Sequence, residues 1–233
     1  MPENQAHGKI WEKNIGMNVY KATEAELKSV SHSAPIDVPR TFNRLESIDI
    51  SIKTSGKDTI DMADIVRVFD EVNREETFHM TRVLWEQKDP TTKKLKYIIE
   101  VDLTKSANLL FGSIKREQLV NLVTMAKAVG KVRPDVSREQ RAIQIASVYN
   151  MRDELQKNSG FMHFHLMFYT KHPSRVQGQF TQFSRFIKEH PERVIAQSQT
   201  GDFRGGKIAE EIVSTPRLRK KKELAPAPDS APR

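Results

Sequence analysis

Two short stretches hold side chains whose types and spacing could do chemistry. In "GDFRGGKI", Gly201, Gly206 and Lys207 fall at the spacing of a phosphate-binding loop. There, backbone N–H groups would cradle phosphates and the lysine would neutralise them. Such a loop needs Ser or Thr directly after the lysine to hold magnesium, and Ile208 stands there instead. The strand that should lead into it is short, with only Val194, Ile195 and Ala196 apolar. The stretch reads as a glycine-rich surface turn, and no nucleotide site or cofactor is expected. In "FMHFHLMFYT", His163 and His165 lie two residues apart, hence on one face of a strand, where two imidazoles can share a metal ion. Phe161, Met167 and Tyr169 share that face, and no nearby carboxylate completes a ligand set. A half-exposed polar face or subunit contact is the preferred reading, and no metal is assigned. No Asp or Glu pair stands out as an acid–base couple, so no catalytic residue is assigned and no enzyme is expected.

A third stretch carries charge. In "RLRKKKEL", Arg217, Arg219, Lys220, Lys221 and Lys222 place five basic residues in six positions. The 233-residue chain has a formal net charge of +8, and half of it falls from Arg217 onward, where six basic residues face Glu223 and Asp229. A basic tail on a nearly balanced body suggests an electrostatic tether more than a basic binding cleft. It would suit an import receptor, an anionic membrane or nucleic acid. No zinc-finger spacing, RNA-recognition aromatic pattern or basic zipper is present. Basic and aromatic residues interleave only in "YTKHPSRVQGQFTQFSRF", where the phenylalanines have the spacing of core residues. The absence of cysteine removes disulfides, thiolate nucleophiles and cysteine-ligated metals. The first twenty residues contain no apolar run, so no signal peptide is expected, and no segment approaches the roughly 20 apolar residues of a membrane span.

The elements that must position these residues follow from periodicity. Residues 1–40 are polar and broken by Gly8, Gly16, Pro35 and Pro39, which suggests a flexible N-terminal arm with a short helix near Ala22–Val30. Ile48, Ile50 and Ile52 alternate with polar residues, a half-buried strand. "TIDMADIVRVFDEV" predicts a helix with Asp61 as its N-cap. "TFHMTRVLWEQ" and "LKYIIEVDL" form a hairpin, the second arm facing Leu95, Tyr97, Ile99, Val101 and Leu103 one way and Lys96, Glu100 and Asp102 the other. A helix is predicted from Lys115 to Val129, stopped by Gly130. From Arg141 to Asn150, Ile143 and Ile145 suit a strand, while Ser137 and Gln140, at capping-box spacing, suit a helix; a helix running to about Lys157 is the preferred reading. After the strand at 161–170, Phe180, Phe183, Phe186 and Ile187 fall on one helical stripe. The fold class expected is α+β: an antiparallel sheet with packed helices forming one body over 41–213. A disordered N-terminal arm would precede it and a basic disordered tail, 214–233, would follow.

"HSAPIDVPRTF" (residues 32–42) carries a family resemblance. Its "SAPID" is similar to the late-budding motif in the N-terminal arm of rhabdovirus matrix proteins of the vesicular-stomatitis type. His32 stands where that motif has its first proline, so Ser33, Ala34 and Pro35 form a degenerate version. The order of elements over about 32–200, the length and the basic character are also similar. A C-terminal basic cluster resembles the matrix proteins of plant rhabdoviruses that mature in the nucleus. The resemblance implies a virion structural protein that self-associates, condenses the nucleocapsid and links it to an envelope. Its expected partners are the viral nucleocapsid, an anionic membrane surface, a nuclear import receptor, further copies of itself and the viral glycoprotein. Arg217 to Lys222 would serve as the import signal. The alternative is a nucleic-acid-binding nucleocapsid or movement-type protein whose tail neutralises phosphate.

Overall fold

The computed structural model describes residues 3–31, 35–130, 136–169 and 174–213. In chain order its elements are helices α1 (Glu3–Asn18) and α2 (Glu24–Ser29), strands β1 (Asp49–Ser55) and β2 (Ile60–Asp64), and helix α3 (Ile65–Asn73). Strands β3 (Phe78–Gln87) and β4 (Thr92–Asp102) lead to helices α4 (Ala107–Phe111), α5 (Arg116–Gly130) and α6 (Arg138–Gln156). Strands β5 (Met162–Met167) and β6 (Arg175–Phe180), helix α7 (Phe183–Glu189) and strands β7 (Val194–Ser198), β8 (Asp202–Phe203), β9 (Gly206–Lys207) and β10 (Glu211–Val213) complete it. The architecture is α+β. Every strand pair is antiparallel except β1 with β3, which β2 and α3 connect as a parallel crossover.

The larger sheet runs β1–β3–β4, with β10 and β7 both lying along the far edge of β4; the smaller runs β2–β6–β5. The β3–β4 hairpin slips register between Leu84 and Trp85, where Lys96 of β4 is passed over. That bulge reverses which face the side chains occupy. Tyr97, Ile99, Val101 and Leu103 face one core, as alternation predicts, but Leu95 falls on the opposite face with Ile98. The larger sheet is therefore covered on both sides. One core joins its Phe78, Met80, Ile99 and Val101 to the smaller sheet, to α3, α5 and the phenylalanines of α7. The other packs Ile50, Ile52, Val83 and Ile98 beneath Trp11, Ile15, Val19 and Tyr20.

This second core corrects the reading of residues 1–40 as a flexible arm. Trp11, Ile15 and Val19 recur at four-residue spacing and are fully buried. The glycines read as breakers permit the packing: a Cβ on Gly16 would lie 2.8 Å from Leu27 of α2. The short helix expected near 22–30 is present as α2, with a capping box between Thr23 and Glu26.

Other boundaries move by a few residues. Ile60 and Met62 are buried in alternation with exposed Asp61, so β2 runs through Asp61, and Asp64 caps α3 by accepting from Arg67 N at 3.2 Å. Phe180 ends β6, and the helical stripe begins at Phe183. Ser137 and Gln140 do form a capping box on α6. The free edge of β5 is closed by a side chain: Gln156 donates to Met162 O (2.9 Å) and accepts from Phe164 N (2.8 Å), as a neighbouring strand would. No described helix is long and apolar enough to cross a membrane.

Candidate functional site

The residues singled out by type and spacing come apart in three dimensions. Gly201–Lys207 is the β8–β9 hairpin, turned at Arg204 (φ 48°) and Gly205 (φ 75°). Two successive positive φ values make a tight hairpin turn, with Gly205 at a position where most side chains are strained. Ile208 is buried in the second core. The reading as a turn stands. His163 and His165 do share the outer face of β5, opposite buried Met162, Phe164 and Leu166. They join no third ligand among the described residues. His163 is pushed below the ordinary histidine range by burial, Arg152 and His165, which favours a neutral ring. Pro35 is half-buried; Ser33, Ala34, Arg217, Arg219, Lys220, Lys221 and Lys222 lie outside the described residues.

The polar cluster that periodicity missed is centred on Glu100. It sits mid-strand in β4 on the face toward α1, where alternation suggested solvent, and is fully buried. Four segments converge on it. His79 Nδ1 and Arg204 Nη1 each lie 2.7 Å from Oε1. Tyr20 donates to Oε2 at 2.9 Å, and Arg204 Nη1 reaches that oxygen too, at 2.8 Å. Tyr20 also shares a 2.5 Å hydrogen bond with Thr81 Oγ1, and Arg204 Nη2 bonds Glu46. The β8–β9 turn thus aims its arginine through the sheet face onto a carboxylate about a hundred residues earlier in the chain.

The electrostatics follow from this crowding. Burial works against charge on Glu100, but the bonds from His79 and Arg204 outweigh it and hold the carboxyl below the usual range. Tyr20 is pushed well up by burial and by the adjacent Glu100 charge, so it stays a protonated donor. Ligand atoms of Glu46, His79 and Glu100 lie within 4.8 Å of one another, a spacing that suits a metal ion. Arg204 already bonds both carboxylates and supplies the local positive charge. Each oxygen of Glu100 accepts two donors, which leaves no lone pair directed at a substrate proton. The cluster is a clamp that fastens the end of α1, the loop at Glu46 and the β8–β9 hairpin to the larger sheet.

A second buried cation lies on the other face. Arg82 is fully buried, donates to Tyr97 Oη (3.0 Å) and Lys57 O, and stacks 4.6 Å from the Phe183 ring centre. Its neighbour Asp58 accepts from Ser184 N (3.0 Å) and Ser184 Oγ (2.6 Å), tying α7 to the β1–β2 loop. Clefts open to solvent among the described residues include two. One, of about 280 Å³, lies between α5 and α6 against Met125, Val129, Arg141, Gln144 and Val148. The other, of about 470 Å³, runs along α1 past Lys9, Ile10, Lys13 and Met17. Neither lining joins an acid to a base or assembles a metal-ligand set. Compared with known protein families, curated proteins and solved structures, the chain gives no significant match.

Proposed function

We propose that this chain is a structural, self-associating protein of viral matrix type, whose folded body is a building block and whose basic segment at Arg217–Lys222 makes the electrostatic contacts. The observation that carries the reading is the saturation of Glu100. The buried acid that most resembles a catalytic group is bound by four donor contacts from its own chain and works as a fastener. The concentration of half of the net charge from Arg217 onward supports the division of labour. In this reading the tail attracts an anionic membrane surface or ribonucleoprotein and is held by a nuclear import receptor. Membrane attraction at about 1 kcal/mol per basic residue gives reversible attachment only.

Binding of RNA and of vesicles containing anionic lipid, measured for the full chain and for a chain ending at residue 213 over a range of salt, tests the proposal. The truncated chain is expected to lose most salt-sensitive binding to both. Tight RNA binding with a steep salt slope in the truncated chain would place the nucleic-acid contact on the body, and the nucleocapsid reading would replace this one.

A further inference from the structure

α6 is nineteen residues long, about 28 Å at 1.5 Å per residue, yet buries only Val148 and Leu155. None of residues 138–147 is buried, and Ile143 is 67% exposed. On the outward face, Arg138, Ala142, Ala146, Tyr149 and Asp153 follow one another at three- and four-residue steps, forming one stripe in which all five are exposed. Tyr149 is a supported knob on that stripe: Phe168 meets its ring edge-on at 5.8 Å, and Arg152 lies 4.9 Å from its centre.

The order along the stripe is cation, small, small, aromatic, anion, and it is self-complementary when reversed. We propose that α6 is the surface through which two copies of this chain pair, antiparallel, about a two-fold axis near Ala146. In that arrangement Arg138 faces the second copy's Asp153, and Tyr149 fits over the second copy's Ala142. The two Ala146 residues meet where the helices approach most closely, and Ile143 is covered at the margin. Charge complementarity selects a second copy as the occupant. Arg138 makes no ion pair among the described residues, and the bonds from Arg152 to Asp153 run through Oδ1 alone. A two-fold axis makes each such contact twice. One helix pair is a small interface, at the weak end of specific association, so pairing should depend on concentration. This inference rests on the self-associating part of the proposed function and gives it a site.

The test uses the full chain in sedimentation experiments over a concentration series, with circular dichroism to verify folding of each variant. The parent is expected to dimerise reversibly. Arg138→Asp and Asp153→Arg, each alone, set like charges against one another at both ends of the helix pair and should weaken dimerisation about tenfold. Mixed one to one, the two variants regain both ion pairs across the heterodimer and should return close to the parent affinity. Because the chain has no cysteine, Ala146→Cys provides a separate measurement: oxidation should link two copies through that position. Dimerisation unchanged in both charge variants, no recovery on mixing, or failure of the cysteine variant to cross-link while the parent still dimerises would each overturn the α6 surface and leave self-association in place. A parent that stays monomeric at every concentration would remove the self-associating reading itself.

Discussion

Arg204 and Glu100 hold the molecule together at one point, and the two differ in what their loss exposes. Replacing Arg204 with alanine leaves Glu100 buried with its main counter-charge gone, a change that costs about 3–5 kcal/mol when a buried pair is broken from one side. Urea unfolding of Arg204→Ala should show that loss, and Arg204→Lys should recover only part of it, because lysine has no second nitrogen to hold Glu46 while the first holds Glu100. Glu12 of α1 behaves in the opposite sense. Burial and the nearby Asp37 push its carboxyl up to about 7, against the pull of Lys53 and Lys9. The folded chain therefore keeps a proton that the unfolded chain releases near pH 4.5, so this residue's contribution to stability is greatest at low pH and falls as pH rises to about 7. Glu100, held below its ordinary range, adds stability that is lost as pH falls instead. In Glu12→Gln the melting temperature should rise relative to the parent progressively between pH 4.5 and about 7, then level off. A constant difference across that range would mean that Glu12 is not protonated in the fold.

At the scale of elements, α1 is the part whose removal tests the two-core description. Trp11 is fully buried, and its indole donates to Ala209 O at 3.0 Å. Trp11→Ala should destabilise the chain by about 3–5 kcal/mol, read from urea unfolding; a change below 1 kcal/mol would mean that the helix lies on the sheet without stabilising it. Local patterns were legible in the sequence where a single partner face determined them. The Ser137–Gln140 spacing gave the start of α6 and the period-two pattern gave the buried face of β5; the isoleucine alternation located β1 but read it as half-buried, whereas Asp49 and Ser51 on its other face are buried too. What failed depended on contacts distant in sequence. Nothing local in "YIIEVDL" shows that Glu100 will meet Tyr20, His79 and Arg204, and the mixed apolar pattern of residues 10–20 looks weak until Ile208 and Ile212 arrive to cover it. A single-residue bulge at Lys96 was also invisible, and it alone moved Leu95 to the other core. The turn at Gly201–Lys207 was recognised, but not that its arginine completes the clamp.

Over the whole molecule, the division between a nearly balanced body and a basic tail sets the remaining prediction. A fluorescent fusion too large for free diffusion should lose nuclear accumulation when Lys220, Lys221 and Lys222 become alanine, and keep it when they become arginine. Accumulation that persists in the alanine version would leave the cluster to membrane or phosphate contacts alone. The bond between Trp11 and Ala209 spans 198 positions, and it has a consequence for how the protein is made. α1 leaves the ribosome well before Phe203, Ile208 and Ile212, which close over it, because 198 positions separate Trp11 from Ala209. At about 5–20 residues per second, the indole waits roughly 10–40 s for its final partners. During that interval an apolar helix face lies open on a nascent chain, a target for chaperones and for neighbouring copies on the same message. The β8–β9 hairpin and β10 after it end that exposure.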